Sequence, residues 1–582
     1  MSRQPGVVRG TRWALAAVLA TSALTACSGT NSGAPTASPG ASSAPSTTPS
    51  ASEAPTATAW DPPDGAIEPN TLPGYRKPTQ LADGSWSRPQ VDGGTIRWRH
   101  TNAAGDTLRS VPTVPGLVFG PPASYSEVPG VLTFRGGPQR GNAGFGDAEV
   151  KQGRLSLRWT APLGRLRSFG ETWPGAGWTG QPLLVKWPEE TRKAMGLSED
   201  FAKDGGVEVL YPAFDGRIHR LDLATGTQTK PPIEVGYGFK GTGSVDPRGF
   251  PLLYAGQGLP DNSGRRGPWQ FRIFDLITNT QTAMIAGSDP SAYRRAWGAF
   301  DSSALVHAGT DTLLEPGENG VYYRVRLRSQ FDAPARSVSV APEVTRLVFE
   351  SGRSSRFGME NSQVAYRNLI YVSDNDGNLN CLDARTLEIV WSRSIGDDAD
   401  ATMAIEETPT GVYLYSANEV DHRGFHQQVS NIRKIDALTG KVVWRYDVGV
   451  EFDESVNGGV LGSLLVSERE DVRDRVIVNV ARTRSGLGGT LMALDKSTGA
   501  PQWSRPLDPY SWTSVLYVPA SSGKTYGVFA DQAGTIHLFD PRTGEDVDTF
   551  ATGANIEASP AAFGSTIVVA SRDQKVYALT IS

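Results

Sequence analysis

The stretch "ALDKSTGAPQW", residues 493–503, runs from a strand-like segment through a tight-turn signal to a tryptophan. The same skeleton stands at 381–391 ("CLDARTLEIVW") and at 434–444 ("KIDALTGKVVW"). In each copy the Asp and the Trp lie eight residues apart: Asp383 and Trp391, Asp436 and Trp444, Asp495 and Trp503. An offset kept through unrelated intervening residues marks one structural unit used several times.

Working outward, the turn-strand-Asp element recurs as "GRIHRLD" ending at Asp222, "GNLNCLD" at Asp383, "GTLMALD" at Asp495 and "GTIHLFD" at Asp540. A Gly precedes each of these Asp residues by six positions (Gly216, Gly377, Gly489, Gly534). Weaker copies end at Asp275, Arg326, Asp436 and Thr580, so successive units are 40 to 59 residues apart. That period is the length of one four-stranded propeller blade.

Each unit is also sensible local chemistry. "NLIYVSDNDGNLNCLD" (368–383) reads as a β-rich run, an Asp-Gly hairpin turn and an alternating strand. The following D-x-x-T-G is a second turn, in which the carboxylate accepts backbone N–H groups and Gly takes the left-handed position. The outer strand comes next and carries the Trp. A blade cannot bury its apolar face alone. A Trp at a constant place on that strand buries about 150–250 Å² against the next blade, with its indole N–H free to donate. Asp383, Trp391, Asp436, Trp444, Asp495 and Trp503 are therefore read as blade-docking residues, not ligand-binding ones.

The chain ends in three strand-like pieces with no outer strand after them, and "LSLRWTAPLG" around Trp159 is an outer strand with no blade before it. Pairing the two leaves no open sheet edge. The fold expected is all-β: an eight-bladed β-propeller of four-stranded antiparallel blades, closed by its N- and C-terminal strands. Seven blades remain open if the unit at Arg326 is an insertion.

The A-x-D-x-x-T-G-x-x-x-W skeleton resembles the tryptophan-docking motif of the pyrroloquinoline-quinone (PQQ) repeat family. Asp222, Asp275 and Asp540 keep the turn but have Lys230, Ala283 and Asp548 where Trp would stand. "TFRGGPQRGNAGFG" (133–146) looks like the lead-in that precedes the first blade in such proteins. The resemblance covers 131–582 and implies one of two functions. Quinoprotein dehydrogenases oxidise alcohols or sugars with PQQ and Ca²⁺, and many carry a disulfide between adjacent Cys residues beside the cofactor. Only Cys27 and Cys381 occur here, so that feature is excluded, and no C-x-x-C-H haem site is present. The other class is non-catalytic propellers, including the lipid-anchored component of the bacterial outer-membrane protein assembly machine, which use the ring as a docking platform.

The N-terminus speaks to location. Arg3, Arg9 and Arg12 precede an apolar run from Trp13 to Leu24, too short to span a bilayer and read as a secretory signal over 1–26. "LTAC" (24–27) looks like a bacterial lipobox. That resemblance implies cleavage before Cys27, acylation of Cys27 and anchoring in the lipid bilayer. Residues 27–59 are almost wholly Ala, Ser, Thr, Pro and Gly, read as a disordered tether with a mean span of roughly 30 Å. Residues 60–130 form a Pro/Gly-rich extension, either a small β cap or a wrap around the ring.

Of 582 residues, 56 are Lys or Arg and 61 are Asp or Glu, for a net charge of −5 with the signs interspersed. This pattern excludes a nucleic-acid footprint. "DHRGFH" (421–426) places His422 and His426 four apart, but between two strands, where a loop is expected instead of a metal site. "DNDGN" (374–378) departs from calcium-loop spacing and reads as a turn. "GETWPGAGW" (170–178), with Glu171, Trp173 and Trp178, lies outside the repeat at one end of the ring. It is read as packing, with a binding loop as the alternative. No catalytic residue, metal site or cofactor is assigned. The expectation is a monomeric ring held on the extracytoplasmic face of the cell membrane. It would bind an envelope protein or a cell-wall glycan, the alternative being a PQQ/Ca²⁺ dehydrogenase.

Overall fold

In the computed structural model, which describes residues 65–177, 180–203, 205–350, 357–421, 428–452, 457–483 and 487–582, the repeat units become sheets. The Asp383 unit shows the pattern: strands Val364–Tyr366, Leu369–Ser373, Asn378–Asp383 and Glu388–Ser394 pair antiparallel in chain order. Sheets of the same order surround Asp222, Asp275, Asp436, Asp495 and Asp540, and the whole is an all-β β-propeller. At the Arg326 unit, Leu305–His307, Thr312–Pro316, Val321–Arg326 and Glu343–Glu350 pair antiparallel in chain order within a larger sheet. The signal segment 1–26, Cys27 with the tether to 59, and Trp178, His422 and His426 lie outside the described residues. Among the described residues no helix is long and apolar enough to cross a membrane.

The expected closing pair forms. Lys575–Ile581 pairs antiparallel with Leu155–Pro162, placing Ala578 opposite Trp159 and Thr580 opposite Ser156.

The eight-residue offset has a geometric cause. Asp383 pairs with Glu388 and Leu382 with Ile389, then the register slips so that Cys381 faces Trp391. Such a bulge re-aims the next side chain and tightens the twist. The same slip precedes Trp444, Trp503 and Trp159. Each Trp then docks on the turn of the neighbouring sheet. Its indole N–H donates to the residue after that sheet's Asp: Trp391 to Ala437 O, Trp444 to Lys496 O, Trp503 to Pro541 O and Trp159 to Leu223 O, at 2.9–3.1 Å. The ring lies on the turn glycine. A Cβ added to Gly440, Gly499, Gly544 or Gly226 would stand 2.6–2.8 Å from indole carbons. This explains the T-G of the motif: the left-handed turn and the flat Trp both need a residue without a side chain.

Seams without Trp solve the same problem differently. Arg220 Nη1 donates to Leu276 O at 2.8 Å, the carbonyl after Asp275, and Lys230 Nζ reaches Ile277 O at 2.5 Å. Arg324 Nη1 donates to Ala384 O at 3.1 Å, the carbonyl after Asp383. Asp548, in a Trp position, accepts the Leu155 N–H at 2.7 Å.

Two further segments complete the molecule. The extension wraps the ring: strands Trp86–Pro89 and Thr95–Thr101 continue the Arg326 sheet outward, with Thr101 paired to Arg346. Residues 131–145 touch the innermost strand region of every sheet, which only a segment on the ring axis can do. Val131 pairs with Leu184. Leu132 O accepts from Val245 N, Pro138 O from Ala365 N, Gln139 O from Ile405 N and Ala143 O from Ala562 N. Arg140 donates to Ser303 O and Gln363 O, and Arg135 to Leu464 O and Val515 O. Both guanidinium groups are fully buried, and burial lowers each to about 10, so they stay charged at neutral pH.

Candidate functional site

At one end of the ring, the loops entering the innermost strands meet the hairpins between second and third strands. A hydroxyl belt lines this mouth. Gln181 N donates to Thr242 Oγ1, Ser303 N to Ser362 Oγ and Ser362 N to Thr402 Oγ1, each at 2.8–2.9 Å. Across the ring, Ser463 N donates to Ser514 Oγ, Ser514 N to Ser559 Oγ and Ser559 N to Gly180 O, at 2.9–3.0 Å. The belt pairs backbone N–H groups that no sheet ladder reaches.

Above this belt sit acids. Asp301, Glu360, Asp400 and Glu557 each precede a belt hydroxyl by two residues (Ser303, Ser362, Thr402, Ser559). Asp301, Glu318 and Glu360 each offer a carboxylate oxygen within 4.8 Å of the others, as do Asp398, Glu419 and Asp421. The first trio is met by two cations: Lys240 Nζ lies 2.8 Å from Asp301, and Arg295 Nη2 lies 2.9 Å from Glu318 and 3.3 Å from Glu360. Asn375 Nδ2 joins the trios, donating to Glu360 at 2.9 Å and Asp398 at 3.0 Å.

Charges this crowded cannot all persist. Burial pushes the Asp301 carboxyl up against the pull of Lys240. Burial, then Glu360 and Asp301, push Glu318 well up. Burial also opposes ionisation of Glu360, but Arg295 and Lys240 outweigh it and hold this carboxyl low. Asp400 and Glu419 are raised by burial and by their acidic neighbours. The mouth is thus a cluster of carboxyls in which burial and like charge work against full ionisation.

The resemblance implies PQQ, which would have to seat in this mouth. Between Phe134, Gly241, Thr242, Asp301, Glu360 and Asp400 lies a space of about 20 Å³. That holds one water, whereas ligand sites run from about 300 Å³ upward. The axial segment fills the remaining depth. A tricarboxylate quinone would also face Asp301, Glu360 and Asp400. The residues present do not fit it. The two acidic trios carry hard oxygen donors of the kind Ca²⁺ takes, but Lys240 and Arg295 already neutralise much of the first.

The residues singled out by sequence sit elsewhere. Asp383, Asp436 and Asp495 lie in third-to-fourth-strand turns, and their Trp partners lie in the seams. Asp374 caps the "DNDGN" hairpin, accepting from Asp376 N and Asn378 N, and burial raises it to about 7. In the possible binding loop, Trp173 faces inward: it is buried on Phe214, with ring centroids 5.2 Å apart, and its indole donates to Ser168 O. Trp173 pairs with the buried Leu166, whereas Glu171, two residues nearer the hairpin tip, stays exposed. The mouth acids were missed because the repeat was aligned on the third strand. The signal that finds them is acid-x-Ser/Thr before the first strand.

Residues 343–515 match the family model described as outer membrane protein assembly factor BamB. A curated relative, 1-butanol dehydrogenase (quinone) of Thauera butanivorans, is 24% identical over 189 residues, 32% of this chain and 29% of that one. The chain thus spans less than a third of that relative's length. The quinohemoprotein alcohol dehydrogenase of Pseudomonas putida HK5 aligns over 78% of this chain and 80% of its own, at 11% identity and a TM-score of 0.53. BamB of Moraxella catarrhalis aligns over 64% of this chain and 93% of its own, at 15% identity and a TM-score of 0.43. Resemblance to PQQ-type propellers is common to these matches. At such identities the structural likeness speaks to the fold alone.

Proposed function

We propose that this chain is a lipid-anchored, extracytoplasmic propeller of eight blades that binds an envelope protein or a cell-wall glycan and catalyses nothing itself. The count of eight is supported by the eight sheets of four or more strands that the repeat positions 222 to 580 head. The observation that carries the non-catalytic reading is the sealed axis: residues 131–145 occupy it and leave about 20 Å³ at the mouth. A ring whose axis is filled by its own chain works through its surfaces. Lipid attachment at Cys27 and the tether of 27–59 are part of the same reading and rest on the sequence.

Cross-linking of the full chain in its own cells, followed by mass spectrometry, tests it; a reproducible envelope partner or glycan is the expected result. The second reading, a PQQ/Ca²⁺ alcohol dehydrogenase, is favoured by the 24% identity over 189 residues to 1-butanol dehydrogenase (quinone). Incubating the purified chain with PQQ and Ca²⁺ and following dye reduction by 1-butanol decides between them. Sustained turnover overturns the binding reading.

A further inference from the structure

One sector of the rim is built unlike the rest. The hairpin Arg165–Ser168/Glu171–Pro174 turns through Phe169 and Gly170, both left-handed, at φ 54° and 80°. Asn-Gly is the ordinary occupant of such a turn, and a Phe there is strained because its Cβ crowds the backbone. Yet Phe169 is 49% exposed. Its ring stacks on Trp297 at 5.7 Å and 15°, and Trp297 in turn meets Trp269 at 4.7 Å.

The tip is held in place. Asp261, on the neighbouring hairpin Asp261–Asn262/Arg265–Arg266, accepts from Ser168 Oγ at 3.0 Å and from Phe169 N at 3.1 Å. Ser263 N donates to Arg167 O at 2.6 Å. Around this stack Arg165, Arg167, Arg265, Arg266 and Arg294 are exposed. None of them has an ion-pair partner among the described residues, and Glu171 is the one exposed acid in the two hairpins.

We propose that this rim is a platform for an anionic glycan. The inference rests on the binding reading above and names its ligand class. A flat, outward aromatic stack suits the C–H face of a sugar ring, burying apolar area without fixing a polar pattern. Guanidinium forks take carboxylate or phosphate groups bidentately, which a neutral glycan would leave idle. An acidic peptide would use the arginines but not a strained aromatic held outward.

The test is titration calorimetry of the full chain with four ligands: an alginate hexasaccharide, a phosphomannan oligosaccharide, cellohexaose and hexaglutamate. At least one anionic glycan binds, with affinity falling as salt rises; which of the two binds tells uronate from phosphate. Phe169→Asn relaxes the turn, so its unfolding midpoint stays equal to or above that of the wild type, while affinity drops about tenfold. Arg265→Ser with Arg266→Ser lowers affinity and flattens the salt dependence. The proposal fails if neither anionic glycan binds, if hexaglutamate binds as tightly, or if Phe169→Asn binds like the wild type. Were an envelope partner still cross-linked in any of those cases, the binding reading would stand and only the glycan platform would fall.

Discussion

The seam geometry separates two substitutions that look alike in sequence, Trp391→Phe and Trp444→Phe. Either one keeps most of the aromatic packing and deletes the indole donor. At Trp391 the acceptor is Ala437 O, 3.0 Å away, and no other donor to it is found among the described residues. Losing its partner leaves a buried carbonyl unpaired, about 1–3 kcal/mol. At Trp444 the acceptor, Lys496 O, also receives Lys434 Nζ at 3.1 Å, so the carbonyl keeps a partner. The cost there is that of one ordinary hydrogen bond, about 0.5–1.5 kcal/mol. Truncation to Ala at either site removes a buried Trp and costs about 3–5 kcal/mol.

A ring of repeats need not unfold in one step, so the measurement must be local. Hydrogen exchange read by mass spectrometry, on peptides covering Glu388–Ser394 and Val442–Gly449, reports each seam separately. Trp391→Phe should speed exchange at its seam more than Trp444→Phe does at its own. Equal acceleration, or a Trp391→Ala variant destabilised by less than about 1 kcal/mol, the level of an ordinary substitution, would refute the docking account.

Other expectations follow from single contacts. Gly544→Ala puts a Cβ 2.6 Å from the Trp503 ring at φ 79°, and should lower the urea midpoint while Gly553→Ala, which meets nothing within 4 Å, shows only the backbone cost. Arg140→Lys cannot reach Thr133, Phe134, Ser303 and Gln363 together. One orphaned acceptor costs about 1–3 kcal/mol, seen as faster proteolysis. Glu315, buried with Oε2 unpartnered and Oε1 bonded to Ser302 Oγ, is raised by burial to about 8. A carboxyl raised in the folded state binds its proton more tightly there. Stability is therefore full below the unfolded value near 4.5 and is lost as pH climbs toward 8. Glu315→Gln should flatten that decline and gain at least about 1.4 kcal/mol at pH 8, measured as urea midpoints from pH 5 to 9.

What sequence made legible was whatever repeats at short range. The Asp-turn-Trp skeleton, the hairpin Gly and the closing strand near Trp159 are local signals, and each has its place in the sheets. The extension was undecidable because its strands pair with Glu343–Glu350, some 250 residues away in the chain. The mouth acids carry no periodicity of their own, since the loops bearing them differ in length. Phe169 escaped because Phe-Gly is a poor hairpin signal; only coordinates reveal that the turn forms regardless. The seams at Arg220 and Arg324 show the limit of motif matching: the carbonyl that must be paired is constant, while the donor is not.

The pairing of Leu155–Pro162 with Lys575–Ile581 fixes an order of events. A ribosome delivers the first of these strands about 410 residues before the second, so an unprotected β edge must wait while the intervening sheets are made. Until the tail arrives, residues 131–145 have no completed barrel to grip, and every earlier sheet is an open arc. Assembly is therefore governed by Lys575–Ile581, and a nick before it leaves an unlatched chain with a strand free to pair with its neighbours in solution.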